Sequence, residues 1–168
     1  FTNETGAIEA TGHKVHGLVT EDGKLKPEHI QSVLDTHTNK PHQVKQKLVY
    51  ISNSTEVGTI YTKKELQELS AFCKANDLYL FMDGARLGQA LTSDINDLTL
   101  EDIAKLTDVF YLGGTKNGAL LGEAIVITND KLKEEFGLPF IHTSHSLGWA
   151  KAKATGVRVE GFPNPNPH

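Results

Sequence analysis

Four short apolar runs, each ending in small or polar residues, constrain this chain more than any other feature. They are Lys47–Asn53, Leu78–Gly84, Asp108–Gly114 and Glu123–Thr128. The runs are continuous rather than alternating, a pattern that reads as strands covered on both faces. Amphipathic stretches separate them. Pro27 suits the first turn of a helix that places Ile30, Val33, Leu34 and His37 on one face. Thr62 and Glu65 form a capping-box pair ahead of an inner stripe of Leu66, Leu69, Phe72 and Cys73. Thr99 and Asp102 repeat that signal before a shorter helix with Leu100, Ile103 and Ala104 inside, and Asn129 caps a last helix containing Leu132 and Phe136. A weaker strand is expected near Lys14–Val19. Strand, helix, strand, repeated, predicts an α/β fold: a three-layer, mostly parallel sheet with helices on both faces. The link from Gly114 to Glu123 is too short for a helical crossover, so the last strand is expected to run antiparallel to its predecessor.

Composition narrows the function classes. The 168 residues are 38% hydrophobic, enough for a sizeable core in one domain. Lys plus Arg number 17 and Asp plus Glu 21, a net charge of −4, which gives no reason to expect a nucleic acid or an anionic membrane as partner. One cysteine builds neither a disulfide framework nor a multi-cysteine zinc site. No apolar run approaches a membrane span and no signal-peptide layout opens the chain, so the expectation is a cytoplasmic protein.

Three features sit at carboxyl ends of predicted strands, the edge where open parallel sheets bind ligands. In Met82-Asp83-Gly84-Ala85-Arg86, an aspartate ends an apolar run and needs a positive partner. Gly84 and Ala85 are small enough for a flat ligand to approach the backbone, and Arg86 offers a planar fork for a carboxylate or phosphate. The plainer alternative is an Asp83–Arg86 ion pair. In Gly113-Gly114-Thr115-Lys116-Asn117-Gly118, a lysine flanked by glycines follows a buried strand. In a partly dry pocket such a lysine forms Schiff bases; otherwise it is a solvated turn lysine. The loop Asn53–Gly58 offers polar groups at the same edge, or is simply a strand-to-helix connection. Asp83 and Lys116, 33 positions apart, make a specific combination. Pyridoxal phosphate needs a lysine for its aldehyde and an acid partner for its ring nitrogen.

Longer motifs carry a family resemblance. Thr5-Gly-Ala-Ile-Glu-Ala-Thr-Gly-His-Lys14, the run Val49–Thr62, the run Leu80–Gly88 and Tyr111-Leu-Gly-Gly-Thr-Lys-Asn-Gly118 resemble the threonine aldolase group of pyridoxal-phosphate enzymes. That group stands beside the β-eliminating lyases in the aspartate-aminotransferase fold class. The resemblance runs from about residue 4 to about residue 136. It implies that Lys116 is the Schiff-base lysine and Asp83 the partner of the ring nitrogen. It also implies that Ala85 is the small residue under the ring, Thr115 stands where the family often has a cofactor-side serine, and Arg86 grips the substrate α-carboxylate. The implied reaction is retro-aldol cleavage of a β-hydroxy-α-amino acid, threonine or allo-threonine, to glycine and acetaldehyde. A homodimer or homotetramer is implied too.

The chain departs from that family in three places. The family's ring-stacking histidine and phosphate-binding loop are expected upstream of Phe1. The loop histidine that some members place near the substrate hydroxyl aligns with Glu56, which as a buried carboxylate with a raised pKa can serve as the base, or can be a plain loop acceptor. After Phe136 the expected basic stretch reads His142-Thr-Ser-His-Ser146, and the second substrate arginine belongs to a small domain that is missing. Residues 1–136 are therefore expected to be part of a cofactor-binding large domain, 137–162 a divergent connection and 163–168 a disordered tail. His142 and His145 hold a metal only if helical and joined by a third ligand, so no metal site is expected. A β-eliminating lyase acting on another amino acid, or a truncated and catalytically silent domain, are the alternatives.

Overall fold

The computed structural model describes residues 8–37, 42–119 and 122–134, together with the backbone of 152–154 and 157–159. Among the described residues six strands form one sheet: β1 (Leu48–Ser52), β2 (Tyr79–Asp83), β3 (Val109–Gly113), β4 (Glu123–Ile127), β5 (Ala152–Ala154) and β6 (Val157–Val159). Their spatial order is β1-β2-β3-β4-β6-β5. Pairs β1–β2 and β2–β3 are parallel, while β3–β4 is antiparallel, as the short connection requires. β6 extends the sheet antiparallel to β4, with β5 beside it. Among the described residues five helices pack around the strands: α1 (Pro27–Thr36), α2 (Lys63–Ala75), α3 (Leu87–Leu91), α4 (Leu100–Leu106) and α5 (Asp130–Lys133). The α/β class, and the mostly parallel order of β1–β4 with its antiparallel turn-back at β4, are as the sequence predicts; β6 and β5 add two antiparallel pairs that it does not.

The capping residues explain where the helices begin. The Thr62 hydroxyl accepts from the Glu65 N–H while Glu65 Oε2 accepts from the Thr62 N–H at 2.8 Å, so two orphan donors of the first turn are satisfied. Thr99 and Asp102 do the same for α4, and Asn129 caps α5 through the Lys131 N–H. Leu66, Leu69 and Cys73 of α2 are buried, with Ile30 of α1 and Ile103 of α4, in one cluster with Val49, Ile51, Leu80, Met82, Phe110 and Val126.

Several expectations fail for physical reasons. Residues 13–20 form no strand; Val19 is fully exposed, and the segment has no ladder partner among the described residues. Leu100, the first residue of α4, is exposed rather than inside, while Ile103 one turn later is buried. His37 caps the end of α1 instead of extending its inner face. Helix α3 has only five residues, too short for a periodic signal. On β1 and β2 burial alternates rather than being continuous: Val49 and Ile51 are buried while Leu48 and Tyr50 of the same strand are exposed. By register, Tyr50, Phe81 and Val109 share the face that also carries Ser52 and Asp83. Phe136, the 137–151 connection with His142 and His145, and the 163–168 tail lie outside the described residues.

Close backbone approach holds the ends of β2 and β3 together. A Cβ on Gly84 would lie 2.0 Å from the Tyr111 carbonyl oxygen, and one on Gly113 would lie 2.5 Å from that of Ala85. The Gly113 N–H donates to the Gly84 carbonyl at 3.0 Å. The small size of Gly84 thus serves this strand contact.

Candidate active site

Asp83 is the last residue of β2, so the strand carries its carboxylate to the carboxyl edge of the sheet. Two donors hold it: the Ala85 N–H on Oδ1 at 2.8 Å and the Tyr50 hydroxyl on Oδ2. The ring of Tyr50 stacks on Phe81, centroids 5.3 Å apart and planes 12° from parallel. Among the described residues Asp83 and Arg86 form no ion pair. Arg86 donates from Nη1 to Glu56 Oε1 at 3.1 Å, with the two side chains 33% and 73% exposed. Glu56 is therefore no buried carboxylate: it lies in an exposed turn and neutralises the arginine expected to meet the substrate.

The Lys116 loop begins where β3 ends. A 3-10 turn, Thr115–Asn117, presents Lys116 to solvent, and its ammonium pairs with no carboxylate among the described residues. The partly dry pocket considered for this lysine is thus not formed by the described residues. Asn117 ties its loop to the Asp83 loop. Its amide nitrogen donates to the Gly113 carbonyl at 2.6 Å and the Ala85 carbonyl at 3.2 Å, and its Oδ1 accepts from the Gln89 N–H at 3.1 Å. Gln89 closes the link by donating to the Lys116 carbonyl at 3.0 Å. Residues 33 positions apart in sequence thereby share one edge of the sheet.

Glu123, at the start of β4, anchors the other side of that loop. Its carboxylate accepts from the Gly114 N–H at 2.9 Å and the Thr115 hydroxyl at 2.7 Å, and Tyr111 bonds it as well. Burial alone would raise the Glu123 pKa; the donors from Tyr111, Thr115 and Gly114 outweigh it and hold the group below its ordinary value. Tyr111 is pushed above its ordinary value, first by burial and then by the Glu123 carboxylate. Thr115, expected beside a cofactor, spends its hydroxyl on Glu123.

The Asn53 loop is half structural and half open. Its N–H donates to the Asp83 carbonyl at 2.9 Å, and its Oδ1 accepts from the Tyr61 N–H at 3.2 Å. The side chain is 1% exposed, yet its Nδ2 meets no acceptor among the described residues. Leaving a buried donor open is costly. A cavity of about 560 Å³ lies beside edge strand β1, lined by residues such as Ile30, Leu34, Val49, Ile51 and Tyr61, with Glu56 at its margin. Neither Asp83 nor Lys116 lines it.

Sequence reading missed Tyr50, Glu123, Asn117 and Gln89 as members of this edge. Asn117 adjoins a residue that it did single out. Tyr50 and Glu123 become visible only when strand register is known. No group of three or more His, Cys, Asp or Glu able to hold a metal occurs among the described residues, and no described helix is long and apolar enough to cross a membrane. Cys73 is a core residue, its thiol pushed up to about 12 by burial and, less, by Asp108.

Known proteins share this pattern. Residues 1–164 match the family described as beta-eliminating lyase. A low specificity L-threonine aldolase from a Pseudomonas species is 41% identical over 144 residues, covering 80% of this chain and 39% of the relative. The enzyme of the same description from Pseudomonas aeruginosa is 40% identical over 142 residues, with the same coverage. A solved structure of threonine aldolase from Leishmania major superposes with a TM-score of 0.77 at 60% identity, covering 80% of this chain and 39% of that one. The chain spans about two fifths of the length of the relatives it matches. With the family matched along nearly all of its length, this chain belongs to the beta-eliminating lyase family.

Proposed function

We propose that this chain carries the central part of a pyridoxal-phosphate-dependent lyase that cleaves a β-hydroxy-α-amino acid, threonine or allo-threonine, to glycine and acetaldehyde. The observation that carries this reading is the joining of the Asp83 and Lys116 loops through Asn117. The residues suit the cofactor. Among the described residues the Lys116 amine meets no carboxylate, and Asp83 is a fixed carboxylate with acceptor capacity left. Lys116, Asp83, Ala85 and Thr115 would hold pyridoxal phosphate there. When bound, it supplies an electron sink for the bond that breaks at the substrate α-carbon.

The chain's own groups do the rest. Asp83 offers a negative charge to the ring nitrogen. Arg86 exchanges Glu56 for the substrate α-carboxylate, a bidentate partner of the same charge. Gripping that carboxylate sets which α-carbon bond stands in line for cleavage. The exchange frees Glu56 Oε1, which then stands as the candidate base for the β-hydroxyl proton. The relatives named low specificity L-threonine aldolase favour threonine as the substrate class.

A β-elimination on another amino acid is the second reading, favoured by the description of the matched family. Product analysis separates the two. Glycine formed from threonine supports the aldolase, and ammonia released from serine or tryptophan supports elimination. Neither product would refute both and leave the silent domain. A cytoplasmic location and a homodimer or homotetramer, with a small amino acid as the only ligand besides the cofactor, complete the proposal.

A further inference from the structure

We infer that Tyr50 is the positioning residue that sets the orientation of the Asp83 carboxylate toward a bound cofactor ring; the inference rests on the pyridoxal-phosphate reading above. The geometry begins with the parallel register. Tyr50 pairs with Phe81, and Asp83 follows two residues later on the same face. That offset puts the long phenol beside the carboxylate, and its hydroxyl donates to Oδ2. The Ala85 N–H takes Oδ1. One donor on each oxygen stops rotation of the carboxylate plane, and each oxygen keeps room for a further donor.

The contact is not forced by burial. Tyr50 is 43% exposed, so water could satisfy its hydroxyl at little cost. The ring is held separately, by its stack on Phe81. Hydroxyl and ring therefore do different jobs: Phe81 fixes where the phenol lies, and the phenol fixes how the carboxylate is turned. A carboxylate already turned to the ring nitrogen costs no reordering when charge builds on the ring, so the gain falls on turnover more than on binding.

Tyr50→Phe removes the hydroxyl and keeps the stack. With pyridoxal phosphate bound, the NMR shift of an isotope-labelled ring nitrogen should move in Tyr50→Phe relative to the unaltered protein. In threonine cleavage kcat should fall about tenfold while KM stays within about twofold. The denaturant midpoint should be unchanged. An unmoved ring-nitrogen shift would overturn the role, as would a loss of stability that made the hydroxyl merely structural. If the unaltered protein shows a ring-nitrogen signal that Tyr50→Phe leaves in place, only the role of Tyr50 falls. If the unaltered protein takes up no cofactor, both the role and the reading beneath it fall.

Discussion

At Gly84 the fold adds a reason for small size that the sequence does not show: the Tyr111 carbonyl fills the space of a Cβ. Gly84→Ala should destabilise the fold by about 3 kcal/mol through overpacking against backbone, readable as a lower urea midpoint. Asp83 and Lys116 were legible because each ends an apolar run beside glycines, a placement with few structural uses. Their link was not legible, because Asn117 and Gln89 bond across a separation that only the folded sheet closes. The exposure of Glu56 was equally hidden, since a turn residue carries no periodic signal. On the proposed reading, Asp83→Ala should lower turnover roughly a hundredfold while leaving cofactor uptake near its starting level, because it would remove the charge offered to the ring nitrogen and spare the lysine. Steady-state kinetics beside a cofactor-binding isotherm would show the split.

Helix starts were the most legible elements. The pairs Thr62–Glu65 and Thr99–Asp102 satisfy first-turn donors reciprocally, and such a signal is local enough to read from four residues. Thr62→Ala should cost about 1 kcal/mol in chemical unfolding. The same boxes make the fold acid-sensitive. The Lys63 ammonium, then the Thr99 donors, lower Asp102 to about 2. Burial would raise Glu65, but Lys24 and Thr62 overcome it and lower that group too. A carboxylate with a lowered folded pKa adds stability above its unfolded value, near about 4, and loses it as pH falls through the folded one. Stability should therefore decline from about pH 4 toward about pH 2, and Lys63→Ala should flatten that decline in a pH series of denaturant midpoints. Elements without local signals were the ones misread. Helix α3 is a turn and a half long, and the apolar residues of 14–19 find no ladder.

Over the whole molecule, the class of fold was legible because alternating apolar runs and helical stripes allow few other arrangements. The pattern of strand burial was not, because a run of apolar residues does not say which of its two faces the described helices meet. On β1 that leaves Leu48 exposed, apolar surface of the kind a second subunit covers. Sedimentation of the purified protein should give the mass of a dimer or tetramer, and a fully active monomer would count against that assembly. The central claim is chemical: one sheet edge unites a carboxylate for the ring nitrogen with a lysine for the aldehyde. Borohydride reduction after incubation with pyridoxal phosphate, followed by peptide mass mapping, tests it most directly. The expected result is a reduced adduct on Lys116 that disappears in Lys116→Ala. No adduct, or one on another lysine that survives that substitution, would contradict the claim.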